Sequence, residues 1–244
     1  MNQLIKPQKL NKGDTIGIIA PSYALKPDDI QNSIQKLQEL GFNVKLSKHI
    51  YSDTNHYAGS IDERADDFNT LIADDAVKML LFGGGEVCNE IVPHIDYKSI
   101  INHPKIICSY SDSTTVLNVI QSQTELVTFY GASLRTFGNL SDYNWDSFVM
   151  RLMTQSQNYA KGSTWRTICP GSCKGVLTGG YLVNYAAIQG LHYFKLNNNQ
   201  DYLLFIEDHE MFSSPAVVSK WFSNLEQYGV FSNVKGLIFG HYSK

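Results

Sequence analysis

An excess of charge of either sign is the first thing this chain lacks: 20 Lys+Arg stand against 23 Asp+Glu, a net −3 over 244 residues with histidine neutral. No dense Lys/Arg block breaks that balance, so the sequence carries no electrostatic footprint for nucleic acid or for an acidic membrane surface. Long hydrophobic runs are missing too. None approaches the ~20 residues that span a bilayer, and the opening Met1-Asn-Gln-Leu-Ile-Lys-Pro-Gln-Lys-Leu10 has no apolar core of a secretory signal. The expectation is a cytoplasmic protein whose partner is a small molecule or a protein. Cysteine is scarce: Cys88, Cys108, Cys169 and Cys173 are too few and too scattered for a disulfide scaffold, only the last two are close in sequence, and all read as unpaired thiols. Phosphate-binding signatures are absent, since Gly83-Gly84-Gly85 lacks the G-x-G-x-x-G spacing and no G-x-x-x-x-G-K-[ST] run occurs. Neither internal repeats nor low-complexity tracts are present.

What the chain does have is material for a core. At 43% hydrophobic and 18% charged residues it is neither disordered nor collagen-like, and its length suits one large domain or two small ones. Thr15 to Ala20 is a continuous apolar run closed by Pro21-Ser22, the pattern of a strand buried on both faces of a parallel sheet. Pro27-Asp28 opens a helix whose Ile30, Ile34 and Leu37 share a face and which Gly41 ends. Asn43 to Leu46 follows as a strand. Ser60-Ile-Asp-Glu63 has the form of a capping box, heading a helix that buries Ile61, Ala65, Phe68 and Ile72. Strands are then expected at Val77 to Phe82, Lys105 to Ser109 and Val127 to Tyr130. Helices are expected at Glu86 to His94, Ser113 to Gln121 and Asp142 to Met153, the last with Trp145, Phe148, Val149 and Leu152 on its apolar side. Such alternation means a parallel α/β sheet with right-handed crossovers.

From Thr154 to Gly171, Gln, Ser, Asn, Gly and Pro dominate and the periodicity stops, which marks a linker. Beyond it, strands at Gly175 to Thr178, Tyr202 to Ile206 and Val234 to Phe239 alternate with helices at Leu182 to Ile188 and Ala216 to Tyr228. The division is an N-terminal α/β domain over 1–153, a linker over 154–171 and a smaller α/β domain over 172–244.

Three segments could carry chemistry. In Lys105-Ile-Ile-Cys-Ser-Tyr-Ser-Asp-Ser-Thr-Thr-Val-Leu117 an apolar strand runs through a tight polar turn into an apolar helix. Ser111 then sits at the carboxyl edge of the sheet, where open α/β folds bind ligands, in the arrangement of a nucleophile elbow. The N–H of Asp112 and the helix start can face a developing oxyanion there. The small flanking residues of G-x-S-x-G are missing, and Ser111 or Ser113 serving only as a helix cap is the competing assignment. Second, Gly83-Gly84-Gly85 lets backbone approach a ligand closely. Third, Leu203-Leu-Phe-Ile-Glu-Asp-His-Glu210 ends an apolar strand in three acids around a histidine. A serine mechanism needs such a carboxylate, while a solvated loop is the alternative. Glu207, His209 and Glu210 have no H-E-x-x-H or other helical ligand spacing, so no metal and no cofactor is expected.

Taken together these segments resemble the LD-carboxypeptidase family of serine peptidases, which includes the microcin C immunity peptidases. The resemblance runs through Gly13-Asp-Thr-Ile-Gly-Ile-Ile-Ala-Pro-Ser22, Tyr57-Ala-Gly-Ser60, Arg64-Ala-Asp-Asp-Phe-Asn69, the glycine turn, Tyr110-Ser-Asp-Ser-Thr114, Thr128-Phe-Tyr-Gly131, Gly179-Gly180 and Ile206-Glu-Asp208. It implies a nucleophile at Ser111, an oxyanion hole from backbone N–H groups near Gly85 and Asp112, and a triad carboxylate at Glu207. Its implied substrates are a murein peptide cut before a terminal D-alanine or, in the immunity branch, a peptide–nucleotide; it also implies a homodimer. Arg135 is a candidate for receiving the substrate's terminal carboxylate.

Two departures from the family pattern stand out. Ala132 follows Gly131 where the family has proline, and the triad histidine of the family lies beyond Lys244, in a longer chain. The histidines downstream of Glu207 are His209 and His241, and Gly240-His241 matches an earlier family glycine. The expectation is therefore a C-terminally incomplete second domain, or a member without its base that binds but turns over little. A cysteine hydrolase using Cys88 or Cys108 is a third possibility, with no base beside either thiol.

Overall fold

The computed structural model describes residues 4–156, 158, 164–209 and 214–240. Two wholly parallel sheets organise it. Strands β1 (Thr15–Ile19), β2 (Asn43–Leu46), β3 (Val77–Phe82), β4 (Ile106–Ser109) and β5 (Phe129–Tyr130) lie in the order β2-β1-β3-β4-β5. Strands β6 (Val176–Tyr181), β7 (Tyr202–Glu207) and β8 (Val234–Phe239) form the smaller sheet in sequence order. The fold is the α/β arrangement the apolar runs imply, a larger N-terminal sheet followed by a smaller one.

Alternate residues of β3 show why its run is apolar throughout. Met79 and Leu81 join a cluster with Ile30, Leu37, Phe137 and Phe148 on one face of the sheet, while Leu80 and Phe82 join a second with Phe68, Ile72, Val116 and Ile120 on the other. Helices α1 (Pro27–Glu39) and α2 (Ile61–Ala73) supply the first residues of each cluster. The capping box forms: Ser60 Oγ accepts from Glu63 N at 3.2 Å, and Glu63 carboxylate accepts from Ser60 N at 2.8 Å. The second cluster continues without a break into the smaller sheet through Leu182, Tyr185, Leu204 and Ile206.

Several expectations need correction. Ile61 is 38% exposed, because it is the first residue of α2 and precedes the turn at which that helix meets the sheet. The segment expected to be helical from Glu86 is a 3-10 turn from Cys88 to His94, with Pro93 inside it, and proline denies an α-helix its backbone donor. Val127 to Tyr130 shrinks to the two-residue β5, since Val127 N bonds to Ile5 O of an N-terminal segment instead. The helix over 142–153 is α only to Phe148, as α6 (Asp142–Phe148), and ends in a π turn, Val149–Met153. Two short helices had no clear periodic signal: α3 (Tyr97–Asn102) and α5 (Leu134–Phe137). The remaining helices are α4 (Thr114–Thr124), α7 (Leu182–Ala187) and α8 (Pro215–Gln227). Among the described residues from Thr154 to Gly175 there is no helix or strand.

Candidate active site

The carboxyl end of β4 is followed by an abrupt change of backbone. Tyr110 is extended, at φ −146° and ψ −175°, and Ser111 is left-handed at φ +60°. A non-glycine residue in that region costs about 1–3 kcal/mol and persists only where its surroundings hold it. Ser111–Ser113 make one 3-10 turn that feeds α4, so Asp112, Ser113 and Thr114 are buried while Ser111 keeps part of its surface. Ser113, at the N-cap of α4, makes no side-chain capping bond.

Strand order reverses between β1 and β3, the position at which open α/β sheets leave a crevice at their carboxyl edge. The loop after β3 is fitted against the end of β1. Gly85 has φ +157°, and a Cβ there would lie 2.2 Å from Ser22 Cβ, so only glycine allows this approach. Buried Ser22 holds the loop through its hydroxyl, which accepts from Glu86 N at 3.2 Å and Val87 N at 3.3 Å. Next along, Cys88 N donates to Asp112 Oδ2 at 2.6 Å, and Asn184 Nδ2 donates to Asp112 Oδ1 at 2.5 Å. The Asp112 carboxylate thus joins the glycine loop, the elbow and α7. Burial pushes that carboxyl above its usual range, with the Cys88 N–H and the Asn184 amide pulling the other way.

Glu207 ends β7 and reaches the elbow through Tyr130, the last residue of β5. Ser111 N donates to the Tyr130 phenol oxygen at 2.9 Å, and that phenol donates to Glu207 Oε1. Burial raises the Glu207 carboxyl, Tyr130's hydrogen bond opposes the rise, Asp208 adds to it and His209 counters it. The smaller sheet is fastened to α4 at the same place: Asn118 Nδ2 donates to Gly179 O at 2.8 Å, Gly179 N donates to Asn118 Oδ1 at 3.1 Å, and Tyr181 N donates to Thr114 Oγ1 at 2.9 Å.

Ser111 and Glu207 are therefore joined through Tyr130, and Asp112 ties the elbow to Cys88 N, at the end of the loop that carries Gly85. Arg135, on α5, is exposed and pairs with Asp29 at 3.4 Å; its Cδ would lie 3.6 Å from a Cβ on Gly84, so it flanks the glycine loop. His209 is exposed and its backbone N donates to Asp208 Oδ1 at 2.7 Å. Glu210 and His241 lie outside the described residues. The Cys88 thiol is pushed well up, by burial first and Asp112 second, and the Cys108 thiol is raised to about 12 by burial. Both stay protonated at neutral pH, which argues against a thiolate nucleophile. Among the described residues no three His, Cys, Asp or Glu side chains gather as a metal site.

Sequence reasoning missed Tyr130, Ser22 and Asn184. Tyr130 had a usable signal, since it ends the strand beside β4; the other two act through hydrogen bonds to distant segments that no local pattern announces.

Two family models match the chain: one described as the LD-carboxypeptidase N-terminal domain over residues 16–131, and one described as the LD-carboxypeptidase C-terminal domain over residues 174–244. The chain belongs to the LD-carboxypeptidase family. It is 33% identical over 238 residues to a probable murein peptide carboxypeptidase of Bacillus subtilis strain 168, across 96% of this chain and 73% of that protein. It is 31% identical over 264 residues to the microcin C7 self-immunity protein MccF of Escherichia coli, across 93% of this chain and 75% of that one. Among solved structures, an MccF-like protein from Bacillus anthracis matches with a TM-score of 0.88 at 27% identity, covering 98% of this chain and 81% of that one. Within this LD-carboxypeptidase-family chain, Gly85, Ser111 and Asp112 fall in the first match and Glu207 in the second, while Arg135 falls in neither.

Proposed function

We propose that this chain is a serine peptidase of the LD-carboxypeptidase type that cleaves the bond before the terminal D-alanine of a murein peptide. Ser111 attacks the scissile carbonyl, backbone N–H groups of Gly85 and Asp112 receive the oxyanion, and Glu207 orients an imidazole base. Arg135, beside the glycine loop, receives the substrate's free carboxylate. The observation that carries the reading is the left-handed backbone of Ser111 at a strand end, joined through Tyr130 to Glu207. An elbow of that shape lifts a hydroxyl out of the sheet edge and turns the following N–H groups toward the same space. Among the described residues, His209 is the histidine that acts on the Glu207 carboxyl, opposing its rise. If it does not serve as base, turnover stays at the residual level of a site that binds and polarises without one.

A second substrate, a peptide–nucleotide, is favoured by the likeness to MccF proteins, one solved in complex with aspartyl sulfamoyl adenosine. The test is release of D-alanine from a murein tetrapeptide, beside cleavage of an aspartyl sulfamoyl adenosine and labelling by a fluorophosphonate probe. Ser111→Ala is expected to abolish all three. His209→Ala decides whether that imidazole is the base, and labelling that survives Ser111→Ala refutes the nucleophile assignment.

A further inference from the structure

The proposed machinery uses Ser111 and Glu207 and leaves the residue between them without a role. Tyr130 has one phenolic proton, a backbone N–H can only donate and a carboxylate can only accept, so with Glu207 ionised the direction of both bonds is fixed. Ser111 N–H gives its proton to the phenol oxygen at 2.9 Å, and the phenol gives its own to Glu207 Oε1. The Ser111 N–H is the first of a helical turn, one of the donors a helix start leaves without an internal partner. Tyr130 is held on three sides. Its backbone pairs with β4 at Ser109, the Phe205 ring meets its ring edge-on at 5.7 Å, and Gly180 leaves room where a Cβ would come within 2.9 Å of Tyr130 Cε2.

We propose that Tyr130 is a positioning residue, whose hydroxyl ties the strained backbone of Ser111 to one oxygen of Glu207 and leaves the other oxygen for the base. The proposal rests on the roles given above to Ser111 and Glu207 and adds a group that touches neither substrate nor reacting atoms. It accounts for a left-handed serine without a small residue on either side: the turn is held by a hydrogen bond from a neighbouring strand. It also fixes the rotation of the carboxylate, which a free glutamate at a strand end would not hold.

Among the described residues the titratable groups facing Glu207 are Tyr130 from β5, Tyr181 from β6, and Asp208 and His209 next in the chain. Of the influences on Glu207, Tyr130's hydrogen bond is the largest that opposes burial. Tyr130→Phe keeps the ring and removes the link. In protein labelled with carboxyl-13C glutamate, the Glu207 titration midpoint is expected to rise by about one pH unit in that variant. Exchange of the Ser111 amide is expected to quicken about tenfold. A Glu207 midpoint and a Ser111 amide unchanged by the substitution overturn the proposal, and they do so whether or not Ser111 is a nucleophile. Should Tyr130→Phe not fold, 3-fluorotyrosine at position 130 is a stronger donor that keeps the shape; the midpoint is then expected to fall, and no movement overturns the link. Fluorophosphonate labelling of Ser111 is expected to slow about 10- to 100-fold in Tyr130→Phe with substrate KM unchanged. Absence of labelling in the unsubstituted protein counts against the serine mechanism alone, because titration and exchange still judge the role of Tyr130.

Discussion

In the larger sheet, β3 and β4 are buried at every residue but Lys78, with Leu80, Leu81, Phe82 and Ile107 at 0% exposure. In the smaller sheet β8 has no buried residue, and its Leu237 and Phe239 are each 45% exposed. Ser111 and Gly85 thus leave a scaffold covered on both faces, whereas Glu207 leaves a sheet whose last strand is only partly covered by the described residues. The contrast teaches that the two halves of the candidate site are held by different means. Packing from both sides fixes the serine half. The carboxylate half is fixed by its docking bonds to α4 and by Tyr130.

The largest expected effect tests the packed half. Phe82→Ala should cost about 3–5 kcal/mol, the lost burial plus the cavity left in a core that cannot collapse, read from urea unfolding. Next is the docking. A Cβ on Gly180, at φ +129°, would stand 2.6 Å from Thr114 Oγ1, so Gly180→Ala should cost about 1–3 kcal/mol and slow labelling of Ser111 by parting the sheets. Neutral behaviour there would show that the sheets do not depend on this contact.

A smaller effect is specific to pH. Asp208 is 3% exposed and burial holds its carboxyl above the usual range. The folded protein therefore keeps that proton to higher pH than the unfolded chain. The group favours folding in acid, and the contribution is lost as pH rises from the unfolded carboxylate range through the folded value. Asp208→Asn should accordingly match the unsubstituted protein near about pH 3 and exceed it in stability near about pH 7. A loss at neutral pH would show that the charged form is the one the fold wants. The smallest effect closes the comparison: Leu237→Ala on β8 should change stability by no more than about 0.5 kcal/mol. A cost there as large as at Phe82 would erase the difference between the sheets.

The same contrast decided what was legible beforehand. Continuous apolar runs gave β3 with the bounds it has in the structure, and Ser60 with Glu63 gave the start of α2, because both are local signals with one physical cause. The short α3 and α5 escaped, since four to six residues show no period. In the site, Ser111 and Glu207 could be picked out because each ends an apolar run in polar residues, but nothing in those runs says that Tyr130 stands between them. That relation joins positions 77 residues apart, and only the folded chain makes it.

The same separation has a meaning during synthesis. A ribosome that has just added Tyr130 has supplied every strand of the larger sheet, and N-terminal units of a chain fold as they emerge. Glu207 is still 77 residues away, and Gly179, which Asn118 grips, is 61 residues past its partner. Until those residues arrive, Ser111 has neither its carboxylate nor the glycine pair that packs beside Tyr130. The newly made chain therefore spends that interval with every strand of the larger sheet present, with Phe137 and Phe148 of one core and Leu182 and Ile206 of the other still to come, and with the candidate site unassembled until the second sheet docks.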